Sequence, residues 1–147
     1  MSTLIQHARN EVHVSGQPLW LTRVMAVVLA AVVNLVILVA GRVVNGEFPR
    51  VNAGDDVQVV SLGQAIAVTL AVGLAAWGGL VVLERIAGNP RRTWTAIALV
   101  VALVSLLGPI GRGADARSTI VLVLMHLAIA AIIIAVMRPS IATRRVR

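Results

Sequence analysis

A chain of 147 residues that is 59% hydrophobic and 13% charged, with mean hydropathy +0.92, is too apolar for a water-soluble domain, where roughly 45–50% apolar and about 25% charged residues are usual. The net charge of +7 and pI near 11.9 come from thirteen arginines and no lysine, a bias of GC-rich genomes. These arginines lie at the termini and between apolar runs, and with one Phe, no Tyr and the three Trp at or inside apolar runs there is no stacking platform, so nucleic acid is excluded as a partner. The absence of cysteine excludes disulfides, thiolate catalysis and Cys-ligated metal.

Residues 1–19 form a mixed polar segment with His7, Arg9, Glu11, His13 and a Ser15-Gly16-Gln17-Pro18 break. Residues 24–41 are then apolar except for Asn34, and with their shoulders they predict a first span over about 20–44, long enough for a hydrocarbon core of about 30 Å. The run is too long, and begins too late, for a secretory signal peptide. A loop from Arg42 to Gln58 follows, carrying Glu47, Phe48, Pro49, Asp55 and Asp56, and its adjacent aspartates after Gly54 read as a solvated turn. Residues 59–83 predict a second span, closed by Glu84-Arg85. The Gly88-Asn89-Pro90-Arg91-Arg92 stretch reads as a turn, after which Thr93 is expected to cap a third span, 94–111, ending at Gly108-Pro109 and Gly111-Arg112. Ser118 is expected to cap the fourth, 118–137, stopped by Arg138-Pro139, with an arginine-rich tail over 139–147. The fold class is therefore an all-α, antiparallel four-helix transmembrane bundle over 20–138.

Arginine placement orients it. With the N-terminus inside, Arg9, Arg23, Arg85, Arg91, Arg92, Arg138, Arg144, Arg145 and Arg147 face the cytoplasm against Arg42, Arg50, Arg112 and Arg117 outside, nine against four. Both termini are thus expected in the cytoplasm of a bacterial inner-membrane protein.

Polar side chains inside a span are candidate functional groups, because hydrocarbon offers them no partner. Alternating span directions put Asn34, Thr69, Ser105 and His126 at similar depth, with Gln64 nearer the outer mouth. One expectation is that the four converge to bind a small polar group or relay a proton through His126. The other, preferred because no carboxylate lies deep in any span, is that they make interhelical hydrogen bonds and that desolvation holds His126 neutral. Gly63, Ala67, Ala71, Ala75 and Gly79 recur every four residues, a ridge expected to make the second span the central packing helix within the chain, with a homo-oligomer seam as the alternative. Arg85, Arg91, Arg92 and Arg138 are expected at lipid head groups. No spacing fits a metal site, no nucleophile elbow or phosphate loop occurs, and neither metal nor cofactor is expected.

The stretch from Trp94 to Pro109 with its preceding Arg91-Arg92, and Leu124-Met125-His126-Leu127, resemble a family of small four-span actinobacterial membrane proteins known only as a domain of unknown function. The resemblance covers the second to fourth spans best, leaving the N-terminal segment and outer loop as features of this chain. It implies a four-helix fold in a bacterial membrane and no role for the matching Trp94, Pro109 or His126. The reading that results is a non-enzymatic accessory or assembly component, with membrane lipids and a membrane protein or second copy as partners. Its rivals are a small carrier or lipid-binding protein built around His126, and a membrane-embedded enzyme.

Overall fold

The computed structural model describes residues 18–138. The N-terminal segment up to residue 17 and the tail from 139 lie outside the described residues. Four membrane-length helical segments run in alternating directions: α1 (Leu19–Asn45), α2 (Leu62–Ile86), α3 (Pro90–Ser105) continued by α4 (Leu107–Arg112), and α5 (Ala116–Met137). The shortest segment has 22 residues, about 33 Å at 1.5 Å per residue, so each can cross the hydrocarbon. Between α1 and α2 stands a hairpin, β1 (Arg50–Ala53) paired antiparallel with β2 (Asp56–Val59). The alternation gives the bundle a terminal face, where α1 begins and α5 ends, and a hairpin face opposite.

The surface explains why water is the wrong solvent for this arrangement. On α3 and α4 the side chains of Ile97, Leu99, Val100, Val101, Leu103, Val104, Leu107 and Ile110 are all exposed, an apolar patch far beyond what soluble monomers tolerate. Lipid tails cover such a face at no cost, whereas every backbone polar group must be satisfied within its own helix.

Helix ends depart from the sequence expectation in instructive ways. The second span begins three residues late, because Val59 completes β2 and Ser61 caps α2 through its Oγ on the Gln64 amide at 3.2 Å. Helix α3 begins before Thr93: Asn89 is the cap, accepting from the Arg92 amide at 3.2 Å, and Pro90 sits at the first position, where its missing N–H costs nothing. Asp115, not Ser118, caps α5, accepting from the Ser118 amide at 2.8 Å. Pro109 does not stop the third span. It interrupts it at Leu106, because proline cannot donate to Ser105, four residues earlier, and the chain resumes as α4 with Pro109 in its first turn.

Helix α1 packs along its length on both α5 and α2, and α3 leans on α2 and α5 from the opposite corner. The buried stripe of α1 is Arg23, Ala26, Val27, Ala30, Asn34 and Leu38, at helical spacing. The core divides into a terminal-end group, in which Ala26, Val27 and Ala30 meet Leu80, Trp94, Ile133 and Met137, and a hairpin-end group of Leu38, Val60, Ala65, Val121, Leu122 and Met125. The expectation that the second span is the central packing helix is corrected: that position belongs to α1. The inward stripe of α2 is Ala65, Thr69, Gly73 and Leu80, displaced by two residues, about 200° around the helix, from the ridge of Gly63, Ala67, Ala71, Ala75 and Gly79. All five ridge residues are exposed, and no atom stands within 4 Å of a Cβ built on Gly63 or Gly79. Both registers are small enough to pack. The one containing Thr69 turns inward, where the Thr69 oxygen is the acceptor for Asn34 of α1, while the ridge, wholly apolar, loses nothing outside.

Candidate functional site

Of the four intramembrane polar residues, the structure brings two together. Asn34, 3% exposed, donates from Nδ2 to Oγ1 of Thr69, 1% exposed, at 2.7 Å, and the Thr69 hydroxyl passes its own proton to the Ala65 carbonyl at 2.7 Å. Asn34 Oδ1 is left buried without a protein partner. Ser105 and His126 do not join this pair. The Ser105 hydroxyl donates to Ala102 O at 2.7 Å, just before the helix is interrupted at Leu106. His126 is half-buried on the flank of α5, its Nδ1 2.7 Å from Leu122 O, and since a carbonyl only accepts, that nitrogen carries the proton. Gln64 lies in the first turn of α2 at the hairpin end, exposed. The expectation of one converging cluster is therefore replaced by a single interhelical pair and two side chains closed on their own helices. Backbone carbonyls three or four residues back satisfy Ser and His without any neighbouring helix.

Sequence reasoning missed the strongest polar contact. Arg23 on α1 and Glu84 on α2 form an ion pair at 2.5 Å near the terminal face, with Arg23 5% exposed and Glu84 half-buried. Each had looked like an interfacial charge flanking its span. The signal was available: in antiparallel helices Arg23 enters at the depth where Glu84 leaves, and the two charges are opposite.

At the hairpin face a second network latches the hairpin to the bundle. The two-residue loop Gly54-Asp55 joins paired Ala53 and Asp56, and Gly54 has φ +72, the left-handed first position that a type II′ turn demands. The base closes through Val60 N–H to Pro49 O at 2.9 Å. The Arg50 amide donates to Ser118 Oγ at 2.9 Å, the Ser118 hydroxyl donates to Asp115 Oδ2 at 2.9 Å, and the Ala114 amide returns to Arg50 O at 3.1 Å. Beside it, the Arg42 guanidinium lies 4.5 Å from the centroid of Phe48, a cation–π contact, and exposed Glu47 pairs with Arg50 at 2.6 Å. The backbone and side-chain hydrogen bonds from Ser118, and secondarily the Arg117 amide and the charge of Arg50, hold the Asp115 carboxyl below its ordinary value of 3.8 against a smaller opposing desolvation. A depressed folded pKa stabilises the latch above 3.8 and loses that contribution as pH falls through the folded value. Acidification below pH 3.8 should accordingly loosen the hairpin, and Asp115→Ala should do so at neutral pH. Amide hydrogen exchange at Arg50 measures both; unchanged protection in the variant would remove Asp115 from the latch.

An open depression lies at each end of the bundle, and neither of these is lined by Asn34, Thr69, Ser105 or His126. The one at the hairpin face mixes Glu47 and Asp115 with Arg50 and Arg117. The one at the terminal face lies between the first turns of α3 and the end of α5 and holds Arg91, Arg92 and Arg138, while Arg85 is not part of it.

The model of the family of unknown function DUF6069 matches residues 14–143. The chain belongs to this family. The DUF6069 match takes in the outer loop, and the N-terminal segment only from residue 14, so the loop does not stand apart from the family as the resemblance alone had implied. No curated protein and no solved structure matches the chain. This DUF6069 member has the helices of a multi-pass membrane protein.

Proposed function

We propose that the chain is a non-enzymatic accessory or assembly component of a bacterial inner membrane, with both termini cytoplasmic, which receives a partner helix on the outward ridge of α2. The carrying observation is that ridge: Gly63, Ala67, Ala71, Ala75 and Gly79 face away from the bundle in unbroken register, with open space at both glycines tested by a built Cβ. In lipid, small side chains let two backbones approach closely, and association there depends on such packing because lipid tails are as apolar as leucine. The arginine asymmetry, nine against four, supports the orientation. The buried polar pair, bonded across α1 and α2, supports an interior that is scaffold rather than passage.

The chain has no cysteine, so one introduced thiol reports one position. Ala71→Cys, in native-like membranes, should cross-link to a neighbouring helix, and Val100→Cys, on the exposed face of α3, should not. Adding Gly79→Leu should abolish the Ala71 product with the fold intact, since exposed substitutions rarely shift stability beyond about 0.5 kcal/mol. Two differently tagged copies decide whether the partner is the same chain. Equal cross-linking at both positions would refute the ridge as a seam.

A further inference from the structure

The groove at the terminal face has a chemistry that the partner seam does not use. Arg91 and Arg92 from the first turn of α3 and Arg138 at the end of α5 share an open groove of about 420 Å³. All three are exposed, no carboxylate lines the groove, and neither ion pair among the described residues involves any of them. Three like charges carried by two helices on one groove repel one another, and the first turn of α3, with its positive dipole end, is where cations are least favoured. An anion in the groove removes both costs. The first-turn amides of Arg92 and Thr93 are already taken by Asn89, and the Thr95 hydroxyl donates to Arg91 O, so recognition falls to the guanidiniums. Their planar forks grip phosphate oxygens in pairs.

The floor says which phosphate. Arg92, Ala96 and Leu99 stand on one face of α3, spaced four and then three residues, so Leu99 lies about 10 Å deeper along the helix than Arg92. Both floor residues are exposed, forming an apolar track that leads from the arginines toward the middle of the bilayer. A free inorganic anion has no use for such a track, whereas an acyl chain lies along it.

We propose that Arg91, Arg92 and Arg138 bind the phosphate of an anionic phospholipid whose acyl chain runs over Ala96 and Leu99. The site is independent of the α2 ridge, which faces elsewhere. The full chain in mild detergent, titrated with phosphatidylglycerol and followed by native mass spectrometry and thermal shift, tests it. One tightly retained lipid is expected, with affinity falling about tenfold or more in the Arg91→Gln/Arg92→Gln variant and again in Arg138→Gln. The Arg112→Gln/Arg117→Gln variant, which removes the same charge at the hairpin face, should bind as the wild type does, and phosphatidylcholine should be retained far less. Equal loss in both double variants would overturn the proposal, leaving only general attraction to a basic protein. Displacement of the lipid by millimolar inorganic phosphate, or equal binding of both, would overturn the lipid assignment in favour of a free anion.

Discussion

Glu84→Ala should destabilise the folded bundle by about 3 kcal/mol or more, among the largest effects of any single substitution outside the apolar core. The reason is the position of its partner. Arg23 is 5% exposed on the inward stripe of α1, one turn from Ala26 and Val27, and cannot turn its guanidinium to water without leaving the core. Removing the carboxylate takes the Glu84 partner from a buried guanidinium, which costs more than the pair itself contributes, and in a membrane the surroundings offer even less relief. The same logic predicts rescue: Arg23→Met with Glu84→Met removes both charges and fills the volume with unbranched apolar side chains, and should recover most of the loss. Denaturant unfolding in detergent micelles, compared across Arg23→Met, Glu84→Met and the double variant, measures the coupling. A Glu84→Ala protein within about 0.5 kcal/mol of the wild type would show that the pair is an interfacial contact of little consequence.

Gly73→Ala and Gly41→Ala should each cost about 1–3 kcal/mol, although alanine is the better helix former by about 1 kcal/mol. A Cβ on Gly73 would stand 2.8 and 2.9 Å from the two γ-carbons of Val27, and one on Gly41 would stand 2.8 and 2.9 Å from those of Val121. Valine cannot swing aside, since both branches are fixed at χ1, so the helices themselves must part. At Gly73 the separation reaches the Asn34–Thr69 hydrogen bond one turn away on the same face of α2. Val27→Ala and Val121→Ala should restore the respective variants by vacating the contested space. Gly79 on the same helix has nothing within 4 Å, so Gly79→Ala should leave the bundle as stable or make it slightly more so. Thermal unfolding of the three alanine variants decides the matter: the same substitution on one helix is expected to carry opposite signs, and equal effects at Gly73 and Gly79 would contradict the packing described.

Much of the architecture was legible because the physics behind it is local. A run of apolar residues long enough to cross lipid is a property of the run, so the four spans and their alternation could be read from residues 20–138. The hairpin was missed, the stretch from Arg42 to Gln58 being read as a loop, for its strands are four residues each and its signal lay in the two-residue Gly54-Asp55 loop between RVNA and DVQV rather than in any strong alternation. Capping was misplaced by a few residues wherever two candidates competed, as Asn89 did with Thr93 and Asp115 with Ser118.

Which side of each helix faces its neighbours is another matter, because every face of a membrane helix is apolar and the amphipathic stripe that betrays a soluble helix is missing. The sequence by itself determined that the chain crosses the membrane in four helical segments and where its arginines gather. Only the tertiary structure decided that α1 rather than α2 occupies the centre and that Thr69 carries its register inward while the Gly63–Gly79 ridge turns out. It also decided that Arg23 finds Glu84, and that Arg138 closes a groove with Arg91 and Arg92 from far along the chain. Lipid and protein are nearly equivalent solvents for an apolar side chain, so hydrophobicity chooses no face. The choice falls to a few polar groups and to the close fit of glycine against valine, both of which are relations between helices rather than properties of one.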